Sequence, residues 1–76
     1  MSPQQILEFL LQNILEDASK VSVAAREENE VSLLDITAPD EVKGRIIGKA
    51  GRIIKAIRTI VSISFPQQRI IIKVID

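Results

Sequence analysis

Two glycines three residues apart, Gly48 and Gly51, constrain this chain more than any other feature. They lie between aliphatic residues at helical spacing, with Ile46 and Ile47 before them and Ile53, Ile54 and Ile57 after them. Two helices joined by so few residues require a sharp turn, and glycine adopts the positive φ values of such a turn at little cost. Lacking side chains, the same glycines let an incoming group come close to the main chain. The first amides of the following helix have no intrahelical acceptor and point toward anions. Lys49, inside the turn, and Arg52, one residue beyond it, add positive charge. The spacing therefore predicts a helix–corner–helix unit with an anion-receptive apex.

The flanking segments fall into a simple order. Ser2-Pro3-Gln4-Gln5 reads as a helix start, with a capping serine, proline at the first helical position and Gln5 placed to reach back. Ile6, Leu7, Leu10, Leu11, Ile14 and Leu15 then form one apolar face, fading around Glu16 to Ser19, while Phe9 falls off that stripe as a rim or interchain residue. From Lys20 to Arg26, Val21, Val23 and Ala25 alternate with Ser22 and Ala24, as in a half-buried strand. Glu27 to Glu30 reads as a polar turn, and Val31 to Thr37 as a second strand closing a hairpin. The adjacent Leu33 and Leu34 call for a strand covered on both faces or for a bulge. Pro39-Asp40-Glu41 opens a second helix that stops at Gly48, and a third runs from about Gly51 to about Ser64, ended by Pro66. Arg69 to Asp76, with Ile70-Ile71-Ile72, Val74 and Ile75, reads as a buried strand. The expected class is α+β: helix, strand, strand, helix, helix, strand, a three-stranded sheet packed against three helices in one domain over residues 1–76.

Charge separates along the chain. Residues 1–41 hold nine acids against two bases, and residues 42–76 hold eight bases against one acid, although the net charge is zero. One surface is thus expected to attract phosphate while the whole molecule stays neutral; mutual neutralisation of the two halves is the plainer alternative. Projected at about 100° per residue, Arg52, Lys55 and Arg58 share one side of the third helix. With Lys43, Arg45 and Lys49 they make six bases without an acid among them. On the other side lie Ile53, Ile54, Ile57, Ile60 and Val61, and a further apolar strip of Ala56, Ile60 and Ile63 suits either the core or a subunit contact.

Composition excludes several classes. With neither histidine nor cysteine, the commonest general base, nucleophile and transition-metal ligands are missing, so no enzyme, cofactor or metal is expected. The run Gly44 to Ala50 falls short of a P-loop, because its glycine spacing is one residue too small and Ala50 stands where Ser or Thr is required. No apolar run approaches the roughly 18 residues of a membrane span, and no secretory signal opens the chain, so a soluble cytoplasmic protein is expected. The only aromatics are Phe9 and Phe65, too few for aromatic stacking platforms.

The segment from Gly44 to Ile57 resembles the signature of KH domains, in which a GXXG loop joins two helices after a pair of aliphatics. The element order matches the type II variant; a type I order would need a further strand and helix after Ile75. Over its length the chain is similar to the small bacterial single-KH-domain proteins of the KhpA type, above all in Gly48 to Arg52, Ala56 to Val61 and the closing strand. The stretch Ala38 to Gly44 departs from them by about one extra residue, and Lys43 to Gly48 looks instead like the KH segment of ribonuclease Y, of whose catalytic domain nothing else here has a trace. The resemblance implies that Gly48, Lys49, Ala50 and Gly51 clamp single-stranded RNA, over about four nucleotides, with Arg45, Arg52 and Lys55 on the backbone. Bases would rest on an aliphatic groove for which Ile46, Ile47 and Ile54 are candidates, although at least two of these three are expected to serve the core. It also implies post-transcriptional regulation, as a homodimer or with a larger Jag-type KH partner. The rival readings are a KH-fold scaffold that only dimerises, and a helix-turn-helix DNA-binding module.

Overall fold

Ser2 starts the first helix as its sequence predicts. Its hydroxyl accepts from Gln5 N–H at 3.2 Å while Gln5 Oε1 accepts from Ser2 N–H at 2.8 Å, a reciprocal cap with Pro3 as the first helical residue. The computed structural model describes residues 1–75 and contains α1 (Pro3–Ile14), β1 (Ser22–Glu28), β2 (Val31–Thr37), α2 (Asp40–Ile47), a 3-10 turn (Lys49–Gly51), α3 (Arg52–Ser64) and β3 (Arg69–Val74). The last residue assigned to the closing strand from sequence, Asp76, lies outside the described residues.

The sheet has the order β1-β2-β3, with β1 antiparallel and β3 parallel to the central β2. The hairpin turn is tighter than Glu27 to Glu30: it consists of Asn29 and Glu30, both with positive φ (50° and 67°), and the strand continues through Glu28. Two such residues give the turn a twist that matches the strands. The register of β1 on β2 runs unbroken from Ser22↔Thr37 to Glu28↔Val31, so no bulge explains Leu33-Leu34. Leu34 points into the core, whereas Leu33 lies half-buried on the open sheet face beside Ile71. Ala25, expected inward, is exposed, because β1 is an edge strand that α1 covers only in part. The triple isoleucine of β3 likewise belongs to an edge, not to a strand buried on both faces: Ile72 is buried and Ile71 is exposed.

The core lies between the sheet and the helices. It joins Leu7, Leu11 and Leu15 to Leu34 and Ile36 of β2, Ile46 of α2, Ile54, Ile57 and Val61 of α3, and Ile72 of β3. Each such residue contributes about 1.5–3 kcal/mol on full burial. α1 stops before its apolar stripe does, so Ile14 is exposed while Leu15, capping the helix, is buried. Because α3 enters β3 through a short turn closed by Gln68 N–H to Phe65 O at 3.1 Å, the two run in opposite directions. The corner between α2 and α3 thus stands at the end of the sheet where β2 and β3 finish, away from the Asn29-Glu30 turn. That separation keeps Glu27, Glu28 and Glu30 apart from the basic corner.

Candidate nucleic-acid interface

The corner is built by backbone conformations that few residues tolerate. Gly48 has φ +76° and Gly51 φ +72°, and between them Ala50 has φ 56°, an uncommon value for a residue with a side chain. Lys49 and Ala50 are exposed. Three main-chain bonds close the corner: Gly48 N–H to Gly44 O at 2.9 Å, Gly51 N–H to Gly48 O at 3.1 Å, and Arg52 N–H to Lys49 O. Of the amides expected to stand open at the start of α3, the 3-10 turn takes up that of Arg52, along with that of Gly51 just before it. The N–H groups of Lys49 and Ala50, by contrast, meet no main-chain acceptor among the described residues. The anion-receptive donors therefore lie at the tip of the corner.

The six bases do not form one cluster. Lys49, Arg52 and Lys55 are exposed around the tip, and none of them enters the ion pairs Arg26–Glu28, Arg26–Asp35 and Lys43–Asp40. Lys43 pairs with Asp40 of its own helix at 3.4 Å. Arg45 enters none of these ion pairs and lines a shallow groove with Glu16, Asp17 and Glu41, three acids against one further base, Lys20. Arg58 has folded onto β3, where its Nε and Nη2 donate to Ile72 O at 3.3 and 3.0 Å. Among the described residues Lys43–Asp40 is the one ion pair that joins the acidic first half of the chain to the basic second half, so Lys49, Arg52 and Lys55 keep their charge unpaired there.

Of the three candidate groove residues, Ile46 is fully buried and Ile54 nearly so, whereas Ile47 is 37% exposed at the end of α2. Ile53, 38% exposed, leans over Gly48 and adds aliphatic surface next to the loop. The core takes Ile46 and Ile54 because they lie on the helix sides that face the sheet. Sequence reading missed a second feature, an open groove of about 670 Å³ between α3 and β3, lined by Arg58, Ser62, Ile70 and Ile72 among others. No sequence signal marks it, because it depends on β3 being an edge. The strip Ala56, Ile60 and Ile63 is exposed along α3, with Ile63 at 72%. Among the described residues no helix is long and apolar enough to cross a membrane.

The family model described as KhpA/KhpB, KH domain, matches residues 4–75. Two relatives carry the name RNA-binding protein KhpA. That of Clostridium acetobutylicum is 28% identical over 74 residues, covering 95% of this chain and 99% of its own. That of Leifsonia xyli subsp. xyli is 30% identical over 70 residues, covering 92% of both. No solved structure matches the chain at comparable stringency.

Proposed function

Because the chain belongs to the KhpA/KhpB KH-domain family, we propose that it binds single-stranded RNA by holding the sugar-phosphate backbone at the tip of the Gly48-Lys49-Ala50-Gly51 corner. Its helix-strand-strand-helix-helix-strand order is that of a type II KH fold. The observation that carries the reading is the pair of amides at the exposed Lys49 and Ala50 that meet no main-chain acceptor among the described residues, beside Lys49, Arg52 and Lys55, which enter none of the ion pairs there. A phosphate at the tip receives two main-chain hydrogen bonds and the charge of Lys49, with Arg52 and Lys55 spaced along α3 for the phosphates that follow. The exposed Ile47 and Ile53 supply an apolar surface against which a neighbouring base loses contact with water. Such a grip reads the chemistry of the backbone and confers little sequence preference by itself. The role we propose for this binding is post-transcriptional regulation in the cytoplasm.

The test compares retention of single-stranded RNA and of duplex DNA on filters, for the protein and for the double variant Lys49→Asp/Ala50→Asp. Single-stranded RNA is expected to bind better than duplex, and the double variant, whose changes are both at exposed positions, is expected to lose RNA while keeping its circular dichroism. Stronger binding to duplex DNA would favour the helix-turn-helix reading, and no RNA binding by the starting protein would leave only the scaffold.

A second reading accompanies the first. The exposed Ala56, Ile60 and Ile63 form an apolar edge on the solvent side of α3, and a small core gains from a partner that covers it. A second copy of the chain is the occupant we favour, with a larger Jag-type KH protein as the alternative. Two coupled domains would raise affinity for one RNA by avidity.

A further inference from the structure

The free edge of β1 lies on the far side of the sheet from β3. Ile36 O accepts from Ile75 N–H at 2.8 Å, so Ile36 turns its main-chain groups to β3 and its partner Val23 turns its own outward. By alternation Ala25 and Glu27 do the same. The two-residue turn agrees, since it closes on Glu28↔Val31 as a bonded pair. At Val23 the edge is stopped, because Gln4 Nε2 of α1 donates to Val23 O at 2.9 Å. At Ala25 and Glu27 no group among the described residues meets the outward N–H and C=O, and an edge open in this way pairs readily with another extended segment. Beside it runs an open groove of about 280 Å³, lined among others by Pro3, Gln4, Ala25, Glu27 and Leu34, the cross-strand neighbour of Ala25. Glu27 is exposed and enters none of the ion pairs among the described residues, whereas Arg26 pairs with Glu28 and Asp35. From Ala24 to Glu30 the chain holds three acids against that one base.

A second copy of β1 fits this edge badly. Antiparallel pairing about a two-fold axis centred at Ala24 or Ala25 needs the Val23 carbonyl that Gln4 holds. Centred at Arg26, Glu27 or Glu28, it sets that residue opposite its own copy, like charge against like. We infer that the β1 edge is instead a docking site for an extended basic segment of another protein, which adds a fourth strand beside Ala25 and Glu27. Residues two apart on an added strand share the helix-facing side. A lysine or arginine beside Glu27 therefore places a small apolar residue beside Ala25, next to the groove. The Asn29-Glu30 end of the hairpin lies away from the glycine-flanked corner, so this segment and a nucleic acid occupy separate surfaces.

The probe is a capped eight-residue peptide in which threonine alternates with valine, alanine, lysine and valine; its control carries glutamate in place of the lysine. Each is titrated into the isotope-labelled whole chain and followed by NMR. With the lysine peptide the amides of Ala25 and Glu27 are expected to shift and to exchange hydrogen more slowly, while the glutamate peptide binds roughly fivefold more weakly. Glu27→Lys is expected to reverse the order of the two peptides. Ala25→Pro removes an outward N–H at an edge position that proline tolerates, and is expected to weaken both. If the proline variant loses its circular dichroism, the charge swap carries the comparison. Shifts centred on the corner or on α3, no binding of the lysine peptide at millimolar concentration, or an order unchanged by Glu27→Lys overturns the inference. Slowed exchange at Ala25 and Glu27 that grows with protein concentration in the absence of peptide also overturns it, because the edge then belongs to a second copy. None of these outcomes bears on the RNA reading.

Discussion

The side chain of Ile53 occupies the space that a side chain at residue 48 would need: its Cγ1 lies 2.6 Å from the position of a Cβ built on Gly48. Gly48 is therefore required twice, for its φ of +76° and for room. Gly51 is required once, because a Cβ there would meet nothing nearer than Lys55 Cε at 4.0 Å. Gly51→Ala is expected to cost about 1–2 kcal/mol from left-handed backbone strain, and Gly48→Ala more, since Ile53 must also move. Urea denaturation of the two variants checks the order; equal stabilities would contradict the close packing at Gly48.

If Lys49, Arg52 and Lys55 each neutralise one phosphate, RNA affinity should fall with salt in proportion to their number. The slope of log affinity against log salt is expected to be about −2, at about −0.7 per phosphate on a single strand. Arg52→Ala should make that slope shallower by about 0.7. Arg45→Ala should change it little, given the acids beside Arg45. Titrations at several salt concentrations decide this, and an affinity independent of salt would remove the proposed backbone grip.

Self-association through α3 makes a separate prediction. Ile60 is 45% exposed and lies outside the groove along β3, so Ile60→Glu is expected to leave the fold intact and to convert a dimer into a monomer. Sedimentation velocity gives the mass directly. A starting protein that is monomeric, or a dimer indifferent to this change, would place the interface elsewhere or remove it.

Glu30 has φ 67° in the hairpin turn, a conformation that costs a residue with a side chain and costs glycine little. Glu30→Gly is expected to raise stability by about 0.5–1 kcal/mol, the usual gain being reduced by the greater freedom of glycine in the unfolded chain. It also removes one acid from the end of the molecule opposite the basic corner. Thermal melting measures the effect, and a lower midpoint would mean that the turn does not carry this strain.

Local features were legible before any coordinates. The capping box at Ser2 and Gln5, the corner at Gly48 and Gly51, and the order of the elements all depend on near neighbours in the chain, so their signals are printed in short stretches of sequence. Periodicity also placed Ile54, Ile57 and Val61 on the buried side of α3. It could not tell that Ile53 and Ile60 on the same apolar arc would be exposed, because that depends on how far the sheet and the neighbouring helices reach around α3.

What the amino-acid order determined by itself is the helix–corner–helix unit, its positive φ values and the exclusion of histidine- or cysteine-dependent chemistry. The tertiary structure decided which cations remain available and where hydrogen-bonding groups stay open. Arg45, Lys49 and Arg58 are alike as residues, yet one sits among acids, one stands at the tip and one is folded onto a strand far from it in sequence. A cation's free charge depends on the groups that folding brings beside it. Whether a strand has an open edge depends on the order in which strands pair, which no single segment encodes.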